Sequence, residues 1–303
     1  MSEPTTLQGV FSPVLTPFSA DLTPHVPRYI DHCRNLLSQG VGLAIFGTNS
    51  EAASLGLAEK RQLLDALLEA GVPPQRMMPG TGACAVPESV EMTRHAVASG
   101  CAGVLMLPPF YYKGVGDEGL FRYFSQIVEG VGDDRLRMYL YHIPPVTQVG
   151  LSHALIERLL KAYPGLIAGV KDSGGDWNHT ESLIRNYQPE GFQVFAGTET
   201  VLLDTLRAGG AGCITATANV NATGIMRLYE TWRAPGAAEL QARINQTRAV
   251  FQAFPLIPAM KAAIAWQTAT PEWRGVRPPL VELTDEQANQ LRMNLAKLDT
   301  PAA

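Results

Sequence analysis

Short runs rich in β-branched and aromatic residues alternate with longer amphipathic segments along most of the chain, and this alternation limits the possible folds more than any other feature. Eight runs read as strands: 10–16, 42–48, 76–81, 103–108, 136–143, 166–171, 192–196 and 212–217. Segments with helical spacing separate them, at 27–38, 57–70, 87–99, 118–129, 152–162, 178–187, 200–207 and 222–232. In 57–70, Leu57, Leu63, Leu64, Leu67 and Leu68 fall near one face of a 3.6-residue period, while Glu59, Lys60, Arg61, Asp65 and Glu69 occupy the rest. Gly40, Gly71, Gly100, Gly130 and Gly209 stand where helices need a left-handed last residue.

Strand–helix alternation builds βαβ units and therefore a parallel sheet. Eight repeats close naturally into a barrel. No G-x-G-x-x-G turn follows the first run, which weighs against an open dinucleotide-binding sheet. The sequence thus reads as α/β, a (β/α)8 TIM barrel over residues 1–234. A C-terminal helical appendage over 235–303 follows, with helices at 237–254, 258–268 and 285–299.

Composition removes several function classes. Of 303 residues 46% are hydrophobic and 17% charged, with a net charge of −4 and no basic stripe, so neither nucleic acid nor an anionic membrane is an expected partner. There is no signal-like N-terminus and no run of apolar residues long enough to span a bilayer, so a cytoplasmic protein is expected. Cys33, Cys84, Cys101 and Cys213 lack metal or redox spacing, and the six histidines form no paired motif; no metal and no cofactor are expected.

The chemistry gathers around Lys171. It ends the apolar run 166–170, where an ammonium loses hydration, so the fold must pair it, expose it or favour its neutral form. A neutral amine can attack a ketone and form a Schiff base. The plainer reading is a lysine that reaches solvent at a strand end.

In a barrel of this kind reacting groups collect at the C-terminal ends of the strands. Those ends carry Thr16, Thr48-Asn49-Ser50-Glu51, Phe110-Tyr111-Tyr112, Tyr141, Lys171, and Thr215 with Thr217. An amine acting on a 2-oxo acid needs a carboxylate anchor and a proton shuttle. Gly47, Thr48 and Asn49 offer backbone N–H groups, a hydroxyl and an amide for the first. Tyr141 offers the second, with Thr48 and Tyr111 as relays. Each residue also has a structural reading: a satisfied core tyrosine, a turn cap at Thr48 and Asn49, a helix cap in 172–176, and a loop brace at Glu51.

The runs GTNSEAASL (47–55), PPFYYKG (108–114), YHIPPVT (141–147), GVKDSGGD (169–176) and GGAGCITATANV (209–220) together resemble the dihydrodipicolinate synthase and N-acetylneuraminate lyase superfamily of class I, pyruvate-dependent aldolases. The resemblance extends over nearly the entire chain. It implies that Lys171 forms the Schiff base, that Tyr141 shuttles protons and that Thr48 and Asn49 hold the carboxylate. It further implies that Tyr111 reaches a neighbouring subunit's site in a homotetramer, a dimer of dimers.

Three departures matter. Val146 stands where the lysine-pathway synthase carries an arginine for its second substrate, Asn49 replaces a threonine, and Ser50 replaces a glycine. Ser50 then either avoids a positive φ or bears strain of roughly 1 kcal/mol. The motifs look closest to 4-hydroxy-2-oxoglutarate aldolases, with 2-keto-3-deoxy-sugar-acid aldolases nearby. The expectation is cleavage or formation of a 4-hydroxy-2-oxo acid, or a 2-keto-3-deoxy sugar acid, from pyruvate and an aldehyde. Alternatives are 4-hydroxy-tetrahydrodipicolinate synthase, a 2-keto-3-deoxy-acid dehydratase and a non-enzymatic 2-oxo-acid sensor. Thr215, the 198–199 pair, His142 and Gln148 are expected near the substrate beyond the pyruvate unit.

Overall fold

The computed structural model describes residues 7–298. Seven parallel strands form one curled sheet: β1 (Gly9–Ser12), β2 (Gly42–Leu43), β3 (Val104–Met106), β4 (Met138–His142), β5 (Ile167–Asp172), β6 (Gln193–Ala196) and β7 (Gly212–Ile214), in the order β2-β1-β7-β6-β5-β4-β3. Helices alternate with them: α1 (Val26–Ser38), α2 (Leu57–Glu69), α3 (Val86–Ala98), α4 (Asp117–Val131), the single turn α5 (Pro144–Thr147), α6 (His153–Ala162), α7 (Trp177–Tyr187), α8 (Leu202–Arg207) and α9 (Ala218–Thr231). Then α10 (Ala237–Gln252), α11 (Leu256–Gln267) and α12 (Asp285–Leu298) complete the described chain.

The expected third strand, 76–81, is not a regular strand. It makes isolated parallel bridges, Met77 to Leu43 on one side and Gly80 to Leu105 on the other. Pro79 has no N–H to give to a ladder. A β-carbon at Gly80 would meet the Phe46 carbonyl, and one at Gly82 the Leu107 backbone, so this stretch lies unusually tight against its neighbours.

Side chains alternate across the sheet with a period of two. Phe11, Met78, Leu105, Tyr139, Tyr141, Phe195 and Ile214 pack together on the inner face. Val10, Met77, Val104, Met106, Met138, Leu140, Val170, Val194 and Cys213 join the larger core beneath the helices. That parity decides where Lys171 points: Val170 faces the helices, so its neighbour faces inward.

The helix termini follow local chemistry. Ser152 caps α6 by accepting from Leu155 N, and Asp176 caps α7 by accepting from Asn178 N. Gly40, Gly71, Gly100 and Gly209 take positive φ as expected. Gly130 does not: it lies inside α4 against Val90, and Gly132, with φ of 63°, ends that helix. The helix expected at 222–232 begins at Ala218, with non-helical Asn221 (φ −138°) inside it.

Beyond the barrel-like part, Phe251, Met260, Ile264, Trp273 and Leu291 form a further apolar cluster that reaches Leu15 and Ala216 near the strand ends. No single described helix is long and apolar enough to cross a membrane.

Candidate active site

β4 and β5 pair in parallel, with Tyr141 opposite Lys171 and His142 opposite Asp172. The first pair points inward. Lys171, only 2% exposed, donates from Nζ to Tyr141 Oη at 3.0 Å and lies 4.1 Å from the ring centroid. Tyr141 Oη also meets Thr48 Oγ1 at 3.2 Å. Of the three outcomes open to a desolvated lysine, the fold takes pairing, and the partner is a phenol rather than a carboxylate.

Burial is the largest influence on Tyr141 and opposes its ionisation. The Lys171 charge, with hydrogen bonds from Lys171, Thr48 and Ser173, outweighs burial and brings its pKa below that of an ordinary phenol. A phenol so placed can exchange protons with the amine and pass them to a neighbouring hydroxyl.

Thr48 stands on a tight turn, Thr48–Ser50, whose shape is fixed locally. Gly47 N donates to Ser50 Oγ at 3.1 Å, and Thr16 Oγ1 donates to the Ser50 carbonyl at 2.7 Å. Ser50 avoids positive φ. The left-handed residues are its neighbours Phe46 (φ 59°) and Glu51 (φ 58°). Glu51 is held there by Lys261 Nζ and by Arg277 N at 2.9 Å, so it braces the loop.

A cavity of about 520 Å³ opens beside this group. Gly47, Thr48 and Tyr141 line it, and Lys171 lies one hydrogen bond behind Tyr141.

Other expected residues stand elsewhere. Thr215 is fully buried and donates its hydroxyl to Glu199, which also receives Thr217 Oγ1 and lies 3.3 Å from Arg248. Thr215 and Glu199 therefore form a buried polar cluster and do not line the cavity. Tyr111 is 74% exposed, stacks edge-on against Tyr112 at 5.5 Å, and makes no relay to Tyr141 within the described chain. Gln148 is exposed with φ of 55°, and His142 faces away from Lys171 on the outer side of β4.

Ser173 was not anticipated. It lies two residues beyond Lys171 and helps to lower the pKa of Tyr141, and the two-residue period of a strand carried the signal for it.

On the outer face, Asp172 accepts from Gly174 N at 2.9 Å and Thr180 Oγ1 at 2.7 Å, and pairs with His179 Nδ1 at 2.9 Å. His142 stacks on His179 with centroids 4.5 Å apart. Burial above all pulls the pKa of His142 down to about 4, while the bond to Asp172 raises that of His179. Ligand atoms of His142, Asp172 and His179 all lie within 4.8 Å of one another, close enough for a metal ion. The hydrogen bonds argue otherwise. Leu151 N donates to His142 Nδ1 at 3.1 Å, so the neutral ring carries its proton on Nε2 and has no lone pair there to give a metal.

The sequence matches the profile of the Dihydrodipicolinate synthetase family over residues 6–298. An uncharacterised DapA-like lyase of Chloroflexus aurantiacus is 32% identical over 295 residues, 96% of each chain. Among solved structures, a dihydrodipicolinate synthase from Agrobacterium tumefaciens is 32% identical with a TM-score of 0.87, covering 96% of this chain and 99% of that one. YagE, a prophage protein of Escherichia coli K12 solved in complex with pyruvate, is 28% identical with a TM-score of 0.87, covering 96% of this chain and 98% of its own. With the profile spanning nearly the whole sequence, the chain belongs to the dihydrodipicolinate synthetase family.

Proposed function

We propose that this protein is an imine-forming aldolase that cleaves, or in reverse forms, a 4-hydroxy-2-oxo acid, with pyruvate and an aldehyde as the other partners. The observation that carries the reading is the line Lys171 Nζ, Tyr141 Oη, Thr48 Oγ1, with steps of 3.0 and 3.2 Å, ending at the cavity. Its placement on facing strand ends fits an eight-run barrel closed by the 76–81 segment, which bonds to both neighbouring runs.

The neutral amine of Lys171 adds to C2 as Tyr141 protonates the carbonyl oxygen, and the proton on nitrogen returns to Tyr141. A second protonation expels water and leaves an iminium. The C4 hydroxyl then loses its proton through Tyr141 while the C3–C4 electron pair moves into the iminium, and the aldehyde departs. Protonation of the enamine at C3 and hydrolysis of the imine release pyruvate and restore Lys171. The turn that begins at Thr48 holds the carboxylate: Gly47 N is already taken by Ser50, so the donors left at the cavity are those of Thr48, while Asn49, next on the turn, does not line the cavity and can contribute only from behind it. No metal or cofactor enters these steps.

The lysine-pathway synthase is the second reading, favoured by relatives such as the 4-hydroxy-tetrahydrodipicolinate synthase of Desulforamulus reducens, 29% identical. Against it stands Val146, 60% exposed, in place of a cation for the second carboxylate. The proposal includes a homotetramer in which Tyr111, 74% exposed within one chain, meets a second copy; sedimentation checks it.

The decisive experiment is borohydride reduction of the protein with pyruvate, followed by peptide mapping. A reduced pyruvyl adduct on Lys171 supports the reading. Absence of any adduct, with pyruvate and with larger 2-oxo acids, refutes it.

A further inference from the structure

Resting on that imine reading, the lining of the cavity bears on the half of the substrate that leaves as the aldehyde. We infer that the group carried by C4 is uncharged and apolar, alkyl or aryl, and leaves as an apolar aldehyde rather than as glyoxylate or a sugar-derived aldehyde.

The argument starts from what surrounds Tyr141. Leu105 and Leu107 come from the end of β3, the strand next to Tyr141 in the sheet, and Ile143 and Val146 follow Tyr141 in the chain. Phe110 and Ile257 add further apolar wall. A carboxylate against this wall would lose its hydration and meet no partner among these side chains. Each hydroxyl of a sugar-like chain would be in the same position, whereas an alkyl or aryl group gains by leaving water.

The polar groups that do line the cavity have other commitments. Glu51 is paired with Lys261 and receives Arg277 N. Thr147 Oγ1 lies 3.0 Å from the carbonyls of both Ile143 and Val149, which share its single proton, and accepts from Val149 N at 3.2 Å. Lys60 and Glu88 both belong also to a smaller adjoining cavity of about 260 Å³ with Leu57 and Met92, so they mark the end of the space where the two cavities meet, away from the wall beside Tyr141. Of the other polar side chains in the lining, the pyruvate unit uses Thr48 and Tyr141, which leaves the Ser54 hydroxyl and the Cys84 thiol, neither of them a cation that could hold a carboxylate.

Atoms balance as in ordinary retro-aldol chemistry. The C3–C4 electron pair goes to the iminium, the C4 hydroxyl proton goes to Tyr141, and the C4 fragment leaves as R–CHO with R apolar.

The test runs the reaction in the forward direction with the full-length protein. Pyruvate is paired in turn with benzaldehyde, isobutyraldehyde, glyceraldehyde and glyoxylate, and the 4-hydroxy-2-oxo acids are quantified by mass spectrometry. The expected result is kcat/KM about 100-fold or more higher for the two apolar aldehydes, the scale on which a pocket discriminates against groups it cannot satisfy. Val146→Arg, at an exposed position, is expected to raise turnover of glyoxylate and lower that of benzaldehyde. Borohydride trapping with pyruvate alone accompanies every assay. An adduct together with a preference for glyoxylate or glyceraldehyde, or with no product from either apolar aldehyde, overturns this inference and leaves the imine reading standing. Absence of the adduct overturns both.

Discussion

Lys171 and Lys261 are both closed off from solvent, at 2% and 0% exposure, and each lies over an aromatic ring, Tyr141 at 4.1 Å and Phe18 at 4.4 Å. Their hydrogen bonds separate them. Lys261, from α11, donates to the Glu51 carboxylate and to the Gly275 carbonyl at 2.7 Å. Burial pulls its pKa down to about 8 against the opposing pull of Glu51. Lys171 donates to a neutral phenol that is linked onward to a hydroxyl at the cavity. Desolvation alone therefore does not mark a reactive amine. A carboxylate holds the ammonium as a structural strut, while a phenol holds the nitrogen in place and can return its proton.

The sharpest way to break this comparison is to remove each lysine. Lys171→Ala should abolish the borohydride adduct and lower turnover by about 10⁴-fold or more, with the melting temperature little changed. Lys261→Met should do the reverse. It strands Glu51 in the interior at a cost of about 3–5 kcal/mol, read as a large fall in melting temperature, while the folded fraction keeps its adduct. Loss of the adduct in a fully folded Lys261→Met protein would show that the two amines are not separable. Tyr141→Phe comes next. It keeps the ring over Lys171 and removes the shuttle, so turnover should fall by roughly 10²–10⁴-fold and adduct formation should slow, with little effect on folding.

Much of this was legible in the sequence, and the exceptions share a physical cause. Lys171, Tyr141 and Thr48 stand at the ends of apolar runs, where local alternation fixes both face and position, and the structure joins them by hydrogen bonds. Thr215 also ends such a run. Its hydroxyl went to Glu199, sixteen positions away in sequence, and nothing local announces that bond. Lys261 and Glu51 are separated by 210 positions, so neither pattern nor spacing points from one to the other. The third run looked like its neighbours by composition. Pro79 and the crowding at Gly80 and Gly82 reduced it to isolated bridges.

Acid should distinguish the surroundings of the two lysines. On the side of the C-terminal helices, His32 packs edge-on against Trp273 at 5.1 Å, and burial pulls its pKa from 6.5 down to about 4. The unfolded chain then binds more protons between those two values, so the stability His32 supports is complete above pH 6.5 and is lost as pH falls towards 4. The loss amounts to up to about 3 kcal/mol. Near Lys171, His142 acts with the same sign, but His179 opposes it: its pKa is raised, so its contribution is complete in acid and fades as pH rises. His32→Gln should flatten the acid limb of a stability–pH curve more than His142→Gln does. The opposite ranking, in denaturant titrations at pH 4 and 7, would mean that the histidines beside Lys171 do not compensate each other.

The smallest expected effect lies directly behind the reactive pair. Asp172 follows Lys171 on β5 and faces outward, where it gathers Gly174 N, Thr180 and His179, while its carbonyl receives Gly197 N at 2.6 Å. These bonds fix the end of the strand, and with it the register that sets Lys171 opposite Tyr141. Asp172→Asn keeps the shape and removes the charge. His179 then loses the partner that raises its pKa, and it gives up its proton at a lower pH. If the cluster positions Lys171, kcat should fall by several-fold with KM for pyruvate nearly constant, and the effect should vanish at acid pH, where His179 is protonated in both proteins. A purely structural Asp172 would instead lower the melting temperature and leave kcat per folded molecule unchanged at every pH.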